Sequence, residues 1–310
     1  YRRIVFPPPD MAPSTLSRSD VAGTGRSLPS FLRLSFLPVD GDAGGRSDGT
    51  SVPVDRAARV PAGPSPEACL SLAAWGDMRY LEGVDNPCRS AFFSYLGLDP
   101  AALRGTELYH TRRILIEGRN GMELAGPDPA EAGPAASHDG ILLRDPAKAA
   151  CITVADCMPI WLLDRHSGSF GVLHSGWKGT GILAVAVRSL AEEFGSRPES
   201  ISVILGPAIG ACCYAVPTGR AEAFAREFGP EAVREEGGRI RLDLRAANLA
   251  LALRLGLGAL LSVEACTSCD PRLGSFRREG AQAFTRMAAV AAVLPDDCPA
   301  GCLVVPVPAL

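Results

Sequence analysis

The chain predicts an α/β or α+β sheet protein. Short β-rich runs bounded by turn residues alternate with helical segments. One segment repeats its apolar residues, Leu183, Val187, Leu190 and Phe194, at helical spacing and closes on Gly195. The 310 residues are 47% hydrophobic and 21% charged, which suits a globular chain with a sizeable core. The length fits one large domain or two ordinary ones. No internal repeat is visible.

In chain order, residues 7–65 are rich in Pro, Gly, Ser and Asp and read as loops or partial disorder, with one candidate strand in "FLRLSFLPV". Order begins near Leu70. "DNPCRSAFFSYLGL" predicts a short helix with Asp85 or Asn86 at its cap and Pro87 in its first turn. "LYHTRRILIEG" is a β-rich run closed by glycine, and residues 118–140 form a loop dense in Gly, Pro and Asp. "AACITVADCMPIWLLD" and "FGVLH" are strands joined by the turn "DRHSGS". After the helix around 183–194 come the buried strand "ISVIL" and the glycine-rich loop "GPAIGACCY". Two further helices follow, "PTGRAEAFAREFG" and "LRAANLALALRLG", the second with Asp243 as N-cap. "LLSVEACT" is a strand. "QAFTRMAAVAAVL" has no clean period and fits strand or helix.

Composition removes several function classes. The formal net charge of -3 provides no basic field for nucleic acid. No run reaches the ~18 apolar residues of a membrane span. "YRRIVFPPPD" lacks the apolar core of a secretory signal, so a cytoplasmic location is expected. The ten cysteines are expected to be reduced and mostly buried. There are four histidines, 110, 138, 166 and 174. A multicopper oxidase uses about ten across its type-1 and trinuclear coppers, so multicopper phenol oxidation is not expected.

One constellation has the residue types of a catalytic metal site. Pairing Asp164 with Ser169 across the turn puts Cys157 opposite Gly176 or, with a shift of register, His174. Cβ atoms are about 5 Å apart for opposed residues and about 7–8 Å for diagonal ones. Either spacing lets a thiolate and an imidazole converge on one ion. His110 is the third candidate ligand. Three ligands leave one position open, the pattern of catalytic zinc. By spacing alone, a strand-end histidine such as His174 is more often a hydrogen-bonding residue than a ligand, and Cys157 is more often a core residue. Asp156, on the opposite face by strand alternation, reads as structural. Gly176 and Gly179 permit a tight turn, and a helix from about Thr180 would offer free N–H groups to an anion such as phosphate. Trp177 is a stacking surface for a base or a core residue. Lys178 holds phosphate or is simply solvated.

The motifs "TVADCMPIWLLD", "VLHSGWKGT", "LGPAIGACCY", "CTSCD", "SFRREG" and "TRMAAV" resemble, in order and approximate spacing, the laccase-domain polyphenol oxidase family over roughly residues 76–293. The resemblance implies an α/β fold of mixed sheets flanked by helices, in one compact catalytic domain over 66–295. The segment 1–65 would then be irregular and 296–310 a Pro-rich tail. It implies one zinc, or sometimes copper, on His110, Cys157 and His174, which become the metal-binding and catalytic set. It implies phosphorolysis of adenosine, inosine, guanosine and methylthioadenosine, with adenosine deamination alongside; the partners are purine nucleosides and phosphate. Arg277, Arg278 and Arg286 are phosphate candidates by charge and by their place in these motifs, beside Lys178. The chain departs from the family at Leu108, where glutamine is frequent, at Lys178, where arginine is usual, and at His138, where a small or acidic residue is usual.

Three rival readings stay open. Cys266, Cys269, Cys298 and Cys302 could form a closed zinc knuckle. Cys157 and His174 could be a thiol–imidazole dyad for acyl transfer. The chain could also be a catalytically silent, partner-binding member. Oligomeric state, preferred purine and the group that protonates the leaving base do not follow from the sequence.

Overall fold

The structure, a computed structural model, describes residues 1–5, 31–36, 64–127, 134–299 and 303–306. Its strands are β1 (Arg2–Val5), β2 (Phe31–Ser35), β3 (Glu67–Ser71), β4 (Leu103–Gly105), β5 (Ile114–Gly118), β6 (Gly121–Ala125), β7 (Gly140–Leu143), β8 (Ala149–Val154), β9 (Met158–Asp164), β10 (Phe170–Ser175), β11 (Ile201–Leu205), β12 (Val233–Glu236), β13 (Arg239–Leu242), β14 (Ala259–Glu264), β15 (Met287–Ala292) and β16 (Leu303–Pro306). The helices are α1 (Pro87–Tyr95), α2 (Ile182–Phe194), α3 (Thr218–Phe228), α4 (Leu244–Arg254) and the single turn α5 (Phe276–Glu279).

Two mixed sheets dominate. One has eight strands in the order β1-β14-β11-β9-β10-β7-β5-β6, the other six in the order β16-β2-β3-β15-β8-β4; β12 and β13 make a separate hairpin. The two large sheets pack face to face through a shared core that includes Leu32, Leu70 and Ile152 from one and Trp161, Phe170 and Leu261 from the other. Side chains alternate across β9. Met158, Ile160 and Leu162 join the core under α2, while Trp161 and Leu163 face the second sheet. The Trp161 indole N–H donates to the Val290 carbonyl at 2.9 Å and so bridges the sheets. Helix α1 covers the far side of the six-stranded sheet. Mixed sheets flanked by helices are the expected fold.

Local chemistry explains the element ends. Asn86 accepts the N–H groups of Cys88 and Arg89 and caps α1, with Pro87 first in the helix. Gly195, at φ 71°, ends α2. Asp243 caps α4 through the Ala246 N–H. The run over 287–292 is a strand: it pairs with β3 on one side and β8 on the other and is buried throughout. Burial on both faces removes the alternation that would have marked it.

Some expectations change. Strands β1 and β2 lie within the segment expected to be irregular, β2 where "FLRLSFLPV" suggested one, and β16 lies in the expected tail. The rest of 6–63 falls outside the described residues. Strand β6 occupies part of the expected loop at 118–140; it is a largely exposed edge strand whose apolar residues Met122 and Leu124 stay exposed. The expected continuous strand at "AACITVADCMPIWLLD" divides, β8 entering one sheet and β9 the other. The break falls at Asp156, whose φ is 80°.

A candidate metal centre and its cavity

The break between β8 and β9 positions the first ligand-type residue. The Asp156 carboxylate accepts from Thr267 Oγ1 (2.6 Å), Ser275 Oγ (2.7 Å) and the Arg277 N–H (2.6 Å). Those bonds hold the left-handed turn and leave Cys157 at the mouth of the β9–β10 hairpin. Asp156 holds this kink, and it also lines the same cavity as Cys157, so the expectation that strand alternation turns it to the opposite face fails at the left-handed turn. The observed register pairs His174 with Pro159 and Ser175 with Met158, so the next pair outward is Gly176 and Cys157. Gly176 is required there: a Cβ on it would lie 2.6 Å from Cys157 Sγ.

His174 is the next-to-last residue of β10 and is 3% exposed. His110 precedes β5 in a loop, not in a strand, at φ 60°. The structure brings all three sequence-predicted residues together: the ligand atoms of His110, Cys157 and His174 lie within 4.8 Å of one another. The two imidazoles meet edge to face, 4.9 Å between centroids.

Sequence reasoning missed the residue that organises this set. Asp139 is fully buried and immediately precedes β7. Its carboxylate accepts from the backbone N–H groups of Tyr109 (3.3 Å), His110 (2.9 Å) and Thr111 (2.7 Å) and from Thr111 Oγ1 (2.8 Å). It also lies 3.0 Å from His174 Nδ1. One carboxylate thus holds the unusual backbone of His110 and fixes the His174 ring, leaving Nε2 free for an ion. Burial pushes the Asp139 carboxyl up, but His174 and the Thr111 donors outweigh it and hold it below its ordinary range. Burial likewise opposes the Cys157 thiolate, yet His174 and His110 bring the thiol below its usual range. Burial disfavours imidazolium at His174, yet Cys157 and Asp139 hold its pKa above its ordinary value. A soft sulfur and two imidazole nitrogens within reach of one point, with the carboxylate behind one imidazole, fit a borderline-soft divalent ion.

The three residues open into a cavity of about 580 Å³. Arg79, Arg220, Arg277 and Arg286 line it with the carboxylates Glu107 and Asp156, so cations outnumber carboxylates and the balance of charge suits an anion. Arg286 pairs with Asp77 at 2.9 Å, and Arg277 donates to the carbonyls of Cys213 (2.8 Å) and Ala215 (3.3 Å). Trp177 and Tyr214 supply aromatic surface. Burial, then the Cys157 charge, push the Tyr214 hydroxyl up to about 12 against Arg220 and Arg277, so it stays a proton donor at neutral pH. Arg220 stacks over the Trp177 ring at 4.4 Å.

Other expected contributors sit elsewhere. Lys178 is exposed and outside the cavity lining, because the turn at 177–180 carries it outward. The start of α2 also lies outside the lining. The N–H groups of Thr180 and Ile182 are spent within the turn, on the carbonyls of Gly176 and Gly179. Arg278 is also away from the cavity and ties the 267–273 loop through its carbonyls. His138 bonds the Ala136 carbonyl and does not join the cluster. Arg220 and Tyr214 were not singled out: one lies on a helix read only as a helix, the other in a loop read only as glycine-rich.

Comparison with known proteins agrees with this architecture. Residues 83–294 match the family described as multi-copper polyphenol oxidoreductase laccase. A purine nucleoside phosphorylase of Corynebacterium glutamicum is 29% identical over 194 residues, covering 62% of this chain and 75% of the relative. The mouse purine nucleoside phosphorylase LACC1 is 35% identical over 144 residues, covering 44% of this chain but only 33% of its own. The chain therefore spans a third of one relative and three quarters of the other. The crystal structure of YlmD from Geobacillus stearothermophilus superposes with a TM-score of 0.62 at 27% identity, over 74% of this chain and 92% of YlmD. Among the described residues no helix is long and apolar enough to cross a membrane.

Proposed function

The chain belongs to the multi-copper polyphenol oxidoreductase laccase family, and from that premise we propose that its cavity is the active site of a purine nucleoside phosphorylase. The observation that carries this reading is the juxtaposition of His110, Cys157 and His174 with a cavity lined by four arginines. A zinc ion held by those three side chains would supply Lewis-acid polarisation. Inosine, adenosine, guanosine and methylthioadenosine are the substrates, with inorganic phosphate.

In the reaction a phosphate oxygen bonds to C1′ as the C1′–N9 bond breaks. The electron pair leaves with the purine, which takes up a proton. Phosphate is a dianion near neutral pH, so its binding needs cations in a site partly closed to water. Arg277 and Arg286 hold it, Arg220 takes the place expected of Lys178, and Trp177 and Tyr214 receive the base. Asp139 acts through His174 and the His110 backbone and is a positioning residue. Adenosine deamination in the same cavity replaces the C6 amino group by water oxygen and releases ammonia. The location proposed is the cytoplasm.

Incubation with inosine and phosphate is expected to release hypoxanthine and ribose 1-phosphate, and His174→Ala to abolish it. No release at micromolar enzyme, with metal present, would sink the proposal. A second reading has its own support: the Cys157 thiol, lowered beside His174, suits a thiol–imidazole dyad. Inactivation by iodoacetamide with full metal retention would favour it. Oxygen uptake with a simple phenol would contradict both readings.

A further inference from the structure

Four cysteines that this reaction does not use gather at a second point. Cys212 and Cys213 come from the loop after β11, Cys266 and Cys269 from the loop after β14. All four sulfurs lie within 4.8 Å of one another. Cys269 Sγ is 3.4 Å from Cys213 Sγ and 3.7 Å from Cys212 Sγ. A tetrahedral ion with Zn–S bonds of about 2.3 Å has sulfur–sulfur edges of roughly 3.8 Å, so four thiolates need little movement to close on one. This partnership differs from the knuckle considered from the sequence. Cys298 is buried in the core under α1, and Cys302 lies outside the described residues.

The backbone beside Cys266 is arranged for a thiolate. The Gly210 N–H donates to Cys266 Sγ at 3.2 Å, a bond that an anionic sulfur accepts far better than a thiol. Thr267 N–H bonds the Ala208 carbonyl, which joins the two loops beside the cluster. Cys269 and Asp270 N–H groups both bond the Cys266 carbonyl, folding the Cys-x-x-Cys turn. Guanidinium groups crowd the same loops: Arg241 donates to the Cys212 carbonyl (2.6 Å), Arg277 to that of Cys213 (2.8 Å) and Arg278 to that of Thr267 (2.5 Å). They offset the negative charge that four thiolates leave around a divalent ion.

We propose that Cys212, Cys213, Cys266 and Cys269 hold a second metal ion, a closed structural zinc, which clamps the 206–216 loop to the 265–275 loop. Each thiol gives its proton to solvent as its sulfur binds. With four protein ligands no position is left for substrate. The clamp fixes the Cys213 carbonyl to which Arg277 is bonded, and so sets one wall of the cavity. The site stands whether or not the cavity performs phosphorolysis.

The test uses the full chain carrying Cys157→Ala, which removes the only sulfur of the first centre, loaded with cobalt(II) alone. One equivalent is expected to bind with strong sulfur-to-cobalt absorption in the near ultraviolet and the visible bands of a tetrahedral thiolate complex. Adding Cys266→Ser and Cys269→Ser is expected to abolish both. Should that variant fail to fold, the unmutated chain answers. Loaded with zinc and unreduced, it should keep these four thiols intact and shielded from iodoacetamide until a chelator is added. Absence of thiolate bands in Cys157→Ala, or a protein lighter by two hydrogens for a disulfide within the four, would overturn the proposal. Neither outcome depends on inosine turnover.

Discussion

Asp139 and Gly176 show how tightly the centre is specified. Asp139 spends one carboxylate on three backbone N–H groups, a hydroxyl and an imidazole. Asp139→Ala is expected to weaken metal binding about 10–100-fold, measured by competition with a chelator. Unchanged affinity would show that His110 and His174 are held by packing alone. Gly176→Ala should lose the metal outright, read by metal content per chain, because the added methyl would occupy the space of the Cys157 sulfur. The three ligand-type residues were candidates by type and spacing, and the ordered motifs that resemble the laccase-domain family are what singled them out as one set. Asp139 was not legible. An aspartate between His138 and Gly140 looks like any turn residue until three distant N–H groups are brought to it.

At the scale of elements, helices with a clear apolar face and caps were readable, and strands buried on both faces were readable only as apolar runs. The turn after β7 supplies a test of electrostatics. Glu117, in β5, accepts the N–H groups of Arg144 (2.7 Å) and Asp145 (3.0 Å) and pairs with Lys148. Burial pushes this carboxyl up, but Lys148 and the two N–H groups bring it down from 4.5 to about 2. A carboxyl depressed on folding contributes stability above its unfolded pKa, and the contribution fades as the pH falls through the folded value. The unmutated chain should therefore lose thermal stability between about pH 4.5 and 2 more steeply than Glu117→Gln. Parallel melting curves over that range would assign the effect elsewhere. At the division of the strand neither glycine nor proline occupies the Asp156 position; Pro159, three residues on and inside β9, is the one local mark against a continuous central strand. Hydrogen bonds from residues more than a hundred positions away hold that turn, so its left-handed geometry is not written in the neighbouring residues.

For the molecule as a whole, the two sheets must find each other before the cavity exists. Trp161→Phe removes the indole donor to Val290 between them and is expected to cost about 1–3 kcal/mol in denaturant unfolding. The N-terminal segment matters in the same way. Phe31, Leu32, Leu34 and Phe36 are each 2% exposed or less. At about 1.5–3 kcal/mol per side chain, β2 and its neighbour contribute as much as a typical domain's net stability. A chain lacking residues 1–65 should therefore fail to fold, judged by its solubility and circular dichroism, although it retains every ligand-type residue of the centre. By itself the sequence determined the fold class and most elements, since period and caps are local properties, and through the order of its motifs it pointed to three candidate ligands. Only the tertiary structure decided that β8 and β9 part company, that Asp139 governs two histidines, that Arg220 and not Lys178 faces the cavity, and that Cys266 meets Cys212 rather than Cys298. Each of these depends on long-range hydrogen bonds and packing between loops, which no window of sequence contains.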